Sequence, residues 1–172
     1  MATVVPVPSN DQGNDEYVLS IIVFSSRNVN SVDKWNEVDA EVANVPERTC
    51  DIIFPGGGYT GGEVELSHRI PGKFTTAEQR QLYAENILKL QTNSWVMLSG
   101  TSGGRKFFRW YRVLNVGSIV PGTASRPVTL QGADWELAKT HSLANPNTKA
   151  TIMEGVVGVF EKRIRLETSS LW

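Results

Sequence analysis

The sequence holds one cysteine, Cys50, among 172 residues. One thiol excludes an internal disulfide and a cysteine-rich zinc site, and a reducing compartment is its simplest setting. The two histidines, His68 and His141, lie far apart with no clustered carboxylate pair, so no metal-ligand spacing emerges. Positive charge is not in surplus either: 17 Lys and Arg stand against 18 Asp and Glu, a formal net charge of -1. Proteins that live by neutralising phosphates are strongly basic, so only a local basic patch stays open. Long apolar runs are missing too; the longest are strand-sized, well short of a membrane span. Met1 to Val7 is apolar but lacks a basic region and is interrupted by Pro6, which is not a signal-peptide pattern. These absences predict a chain made and folded in the cytoplasm, with no membrane partner.

What is present is ordinary globular material, 40% hydrophobic and 20% charged. A chain of this length fits one domain and needs no staples to stabilise its core. Residues 1–16 are rich in Pro, Ser, Asn, Asp and Gly and read as a mobile N-terminal arm. Order is expected over residues 17–168. Tyr17 to Phe24 is apolar at odd and even positions alike, the pattern of a central strand buried on both faces. Residues 25–47 are polar and mixed, with a weak helical stripe of Val32, Trp35 and Val38 or Val42 behind Ser31. Cys50 to Phe54 reads as a short strand. Five glycines in the seven residues Gly56 to Gly62 make a permissive loop. From Glu63 to Ile70 apolar and polar residues alternate, as in a half-exposed strand.

The helix signal is the firmest local one. Thr75 with Glu78, and Thr76 with Gln79, form two overlapping capping boxes. Tyr83, Ile87 and Leu90 follow at helical spacing, flanked by Leu82 and Ala84, and Thr92-Asn93 ends a helix of roughly four turns. Strands are expected at Trp95 to Leu98, Lys106 to Leu114 and Pro127 to Gln131, with Ser99 to Gly104 as a hairpin loop. One last strand is expected from Ala150 to Leu166, its Phe160 and Ile164 on an apolar face and Gly155 and Gly158 marking a bend or bulge. The whole predicts a mainly β fold, a barrel or sandwich, with one amphipathic α-helix packed on or plugging the sheet.

No catalytic, cofactor-binding or metal-ligating residue emerges. The glycine loop lacks the Gly-Lys-Ser/Thr that opens a phosphate-binding helix and runs instead into Glu63 and Glu65; Gly57, Gly58 and Tyr59 are candidates for ordering against a neighbouring molecule. Arg105 to Arg112 interleaves cations and aromatics, a pattern that stacks single-stranded nucleic acid but more often fills a strand-built core. Arg109, Trp110 and Arg112 are therefore candidate partner contacts. Cys50 has no activating histidine near it in sequence and reads as a small buried hydrophobe. His68, on the apolar face of its strand, reads as a satisfied histidine. Asp134 and Trp135 read as a turn anchored by the indole. Residues 169–172 form an apolar tail whose Leu171 and Trp172 suit a partner's pocket.

Three runs together carry a resemblance: Phe108 to Val113, Val128 to Trp135, and Gly155 to Leu166. In this order they resemble the C-terminal part of structural proteins of tailed bacteriophages and prophages. The resemblance implies a non-enzymatic virion protein at the neck, head-tail connector or tail, assembled in the host cytoplasm. It implies a homo-oligomer, a ring or multimer, in contact with other virion proteins and near DNA. Two other readings remain at this stage: a single-stranded nucleic-acid-binding β-barrel module built on Phe107, Phe108, Arg109, Trp110 and Arg112, and a hydrolase with an unidentified site.

Overall fold

The computed structural model describes residues 2–6, 15–25, 46–55, 62–120 and 122–166. Nine strands and one α-helix follow one another among them: β1 (Ala2–Pro6), β2 (Asp15–Phe24), β3 (Glu47–Ile53), β4 (Glu63–Ser67), α1 (Ala77–Ile87), β5 (Trp95–Ser102), β6 (Arg105–Val116), β7 (Ser125–Gln131), β8 (Thr148–Met153) and β9 (Val156–Leu166). Six of them close a barrel in the order β3-β4-β7-β6-β5-β8, with β8 pairing back onto β3. Every pairing is antiparallel. The expected mainly β fold is thus a barrel, with the helix joined to its core.

The barrel closes because its strands alternate. Cys50 and Ile52, Val64 and Leu66, Val96 and Leu98, Tyr111 and Val113, Val128 and Leu130, and Ala150 and Ile152 are all buried and form one cluster. Period-two alternation on every strand puts one apolar row inside. In a six-stranded barrel those rows fill the interior.

Helix α1 covers one end. Phe74, Tyr83, Ala84, Ile87, Leu88 and Leu90 join the same cluster. Thr76 caps it: Gln79 N donates to Thr76 Oγ1 at 3.2 Å, and Thr76 N donates back to Gln79 Oε1 at 3.4 Å. Of the two overlapping boxes, this one forms. The helix is a turn shorter than expected, because Leu88 is its C-cap and continues fully buried into the barrel mouth. Two arginines then take carbonyls that a helix end leaves open: Arg126 Nη1 donates to Leu88 O at 2.9 Å, and Arg48 Nη2 to Lys89 O at 2.7 Å. The other end is filled by Trp135, Leu137 and Ala138. There the Trp135 indole donates to Thr148 Oγ1 at 2.8 Å in a buried contact, and the His141 ring lies edge-on to Phe54 and bonds Ile52 O at 2.7 Å.

The remaining strands form a second sheet, β1-β2-β9, with β2 in the middle. It lies against the outside of the barrel, β9 running near β5 and β1 near β6. Ile22 and Trp110 are the two buried apolar residues, among those described, that stand outside the barrel cluster.

Several expectations are revised. The N-terminal arm is not without secondary structure: Ala2–Pro6 pairs with β2, and β2 begins at Asp15. An apolar segment gains backbone bonds there that a free arm lacks. β2 is central, yet buried on one face only: Ser20 and Ile22 are buried, while Ile21 and Val23 are 46% and 41% exposed. The single last strand is two. Glu154 and Gly155, the glycine at φ 79°, turn the chain out of the barrel, so β8 closes one sheet and β9 belongs to the other. The hairpin between β5 and β6 has no long loop; Gly103 and Gly104, at φ 54° and 76°, make a two-residue turn. β4 stops at Ser67, before His68. The helical stripe of residues 31–42 and the tail 169–172 lie outside the described residues.

Candidate functional site

The open face of the β1-β2-β9 sheet is built by register. Ile21 pairs with Phe160, Val23 with Gly158 and Leu19 with Lys162, so these residues point to one side, opposite Ser20, Ile22 and Val159. Phe160 is 65% exposed. Its ring lies over Gly158, Cε2 standing 3.3 Å from where a Cβ would be. At the same end β9 carries a bulge opposite Val23 and Phe24, beside the 60% exposed Val157. Four of the nine large apolar side chains exposed among the described residues therefore sit on this one strand pair. Single exposed apolar residues are normal; a contiguous group marks a contact surface.

The segment Arg105 to Arg112 divides between core and surface. Tyr111 is fully buried and donates from its hydroxyl to Ala133 O at 2.8 Å. Trp110 is buried on the opposite side of β6, so its face cannot stack a base. Arg109 donates from Nη1 to Asp134 O at 2.7 Å and stands 3.8 Å from Glu136; it anchors the turn that Trp135 fills. Arg112 and Phe108 are exposed. Phe108 lies with Lys106 and Lys149 along a shallow groove of about 340 Å³ on the barrel wall, where Lys149 is paired with Asp51. Of the eight candidate contacts, Gly57, Gly58, Tyr59, Leu171 and Trp172 lie outside the described residues.

The titratable groups are held in structural contacts. Burial pushes the Cys50 thiol up to about 12, against a smaller opposing pull from Arg48. A thiol so placed stays protonated and unreactive. The Tyr83 hydroxyl meets His68 Nδ1 at 2.9 Å, and burial, with Cys50 adding to it, raises the tyrosine. At the helix end, Lys89 and Glu154 line a cleft of about 250 Å³ and stand 4.0 Å from each other. Beneath them the wholly buried Arg48 side chain donates from Nη1 to Glu154 at 2.8 Å. Each charge faces an opposite one.

Sequence reading places Phe160 on an apolar face without fixing whether that face turns inward or outward. Nothing local to β9 distinguishes the two cases, because the strand alternates either way. The signal was the neighbouring strand: β2 carries apolar residues on both faces, and a short sheet against a barrel can bury only one. Compared with protein-family models, curated proteins and solved structures, the chain matches none of them.

Proposed function

We propose that this chain is a non-enzymatic structural subunit of a virion, which works by oligomerising with itself and with neighbouring virion proteins at the head-tail junction or tail. The observation that carries the self-association is the exposed apolar face formed by Ile21, Val23 and Phe160 on the β1-β2-β9 sheet. Among the described residues nothing covers this apolar area, and a second molecule that covered it would gain roughly 25 cal/mol per Å² buried. The barrel beneath is packed through, which makes it a rigid platform for that face. In a closed ring each subunit repeats a modest contact, and multivalency supplies the overall stability. The setting in a virion rests on the sequence resemblance of its last strands.

Light scattering over a rising concentration series tests the self-association. Oligomers are expected, and Phe160→Thr should shift them toward monomer without lowering the unfolding midpoint. A strict monomer at every concentration, with no affinity for other virion components, ends the proposal.

A second reading keeps one observation, the groove lined by Lys106, Phe108 and Lys149. An exposed ring beside the Lys106 ammonium, with Lys149 held by Asp51, suits a stacked base and its phosphate. Titration with a single-stranded oligonucleotide at low salt separates it from the first: no binding, or binding that Phe108→Ala leaves unchanged, removes it.

A further inference from the structure

We infer that two copies of the chain join edge to edge through β9, antiparallel about a two-fold axis at Lys162, making one continuous sheet of six strands. This deepens the self-assembly reading above and rests on it. Among the described residues no strand pairs with the outer edge of β9, although β9 runs for 11 residues. Such an edge offers a row of backbone donors and acceptors to any extended chain. Natural edges are guarded by charge, and the middle of β9 carries three in succession: Glu161, Lys162 and Arg163. All three are exposed.

The order of those charges selects its own copy. In an antiparallel pair about a two-fold axis, each residue faces the one reflected through the centre, on the same side of the sheet. With Lys162 at the centre, Glu161 faces Arg163 of the second copy, and this happens twice. Phe160 then faces Ile164 of the second copy, also twice. Centring on Glu161 opposes two carboxylates and sets Phe160 against Lys162. Centring on Arg163 opposes two guanidiniums and sets Lys162 against Ile164. Centring on Phe160 sets Val159 against Glu161. Opposite charges and apolar pairs stabilise a ladder while like charges weaken it; the Lys162 register places both kinds of pair next to the axis, whereas the Arg163 register reaches Glu161 with Arg165 and Phe160 with Leu166 only beyond the Lys162–Ile164 mismatch. It leaves Val159 opposite Arg165 of the second copy, twice, and Lys162 opposite itself in the Lys162 register. That side chain lies on the open face and can extend its ammonium into water. The same register sets the two Ile21–Phe160 patches side by side on one face, doubling the apolar area.

A single substitution reads the register directly. Directly opposed Cα atoms in an antiparallel pair are about 4.5–5.5 Å apart, inside the span a disulfide bridges. Lys162→Cys should therefore give a covalent dimer on mild oxidation, in high yield, while an equally exposed control, Lys139→Cys, should not. The buried native thiol, Cys50, stays out of the reaction. Glu161→Arg should weaken dimerisation about tenfold, and Arg163→Glu likewise. The double variant Glu161→Arg/Arg163→Glu restores both cross-strand pairs and should recover affinity, which a folding defect would not. Lys162→Thr should tighten the dimer. If the protein oligomerises but Lys162→Cys links no faster than the control, the β9 register is wrong and self-assembly uses another surface. If every form is monomeric by light scattering, both the register and the self-assembly reading fail.

Discussion

Arg48, on β3, donates from Nη1 to Glu154 Oε1 at 2.8 Å across the barrel's helix end, with its own side chain wholly buried and the carboxylate partly exposed. The same guanidinium donates from Nη2 to Lys89 O. One side chain thus ties the first barrel strand, the helix exit and the turn that leads to β9. Arg48→Met keeps the volume but removes both bonds, and should cost about 3 kcal/mol in urea unfolding. Glu154→Gln retains a hydrogen-bond acceptor at an exposed site and should cost about 1 kcal/mol. Equal effects would show that the charge of Glu154, not the fork of Arg48, holds this corner.

Alkaline pH should destabilise the fold through Cys50. Its thiol ordinarily titrates at 9.0 and rises to about 12 when folded, because burial disfavours the thiolate. The folded state therefore holds the proton more tightly than the unfolded chain. That contribution is complete below pH 9 and is lost progressively as the pH rises from there through 12. Tyr83 is raised for the same chief reason and adds the same sign at higher pH. Urea midpoints measured from pH 7 to 10.5 should fall, and Cys50→Ala should flatten the slope. In the native protein at pH 8 the thiol should resist labelling and become reactive on unfolding.

The helix start offers a clean comparison. Thr76→Ala removes the hydroxyl that accepts from Gln79 N and should cost about 1 kcal/mol. Thr75→Ala removes no cap and should be nearly neutral, although both threonines satisfy the same sequence signature. Chemical denaturation of the two single variants checks this.

Gly132 ends β7 beside the fully buried Tyr111 ring, where an added Cβ would stand 2.5 Å from Cδ1. The ring is fixed by its hydroxyl bond to Ala133 O and by the core around it, so it cannot yield. Gly132→Ala should cost about 2 kcal/mol by overpacking. Gly132→Ala combined with Tyr111→Leu should lose less than the two separate effects added together, as expected for neighbours that share one space. Thermal unfolding of the three variants measures it.

Much of the fold was legible because it is local. Alternation in Val64-Glu65-Leu66 and the Thr76–Gln79 cap each encode a backbone geometry within a few residues, by pleat and by capping bond. Burial of Cys50 followed from the apolar Ile52 next to it in the pleat. The inside of β6 was ambiguous, since Phe107, Trp110 and Tyr111 suit either a core or a stacking surface; the barrel settled it by burying Trp110 on one side and Tyr111 on the other.

The amino-acid order by itself determined where the helix and most of the barrel strands form, and that a β core with the helix against it would result. It did so because backbone preferences and side-chain periodicity act over one or two turns. Only the tertiary structure decided that β8 and β9 part company at Gly155, that Arg48 and Arg126 meet carbonyls at the helix exit, and that Phe160 faces outward. Those outcomes depend on which segments, far apart in the chain, come to lie beside one another, and a periodic pattern records that a face is apolar without recording what will cover it.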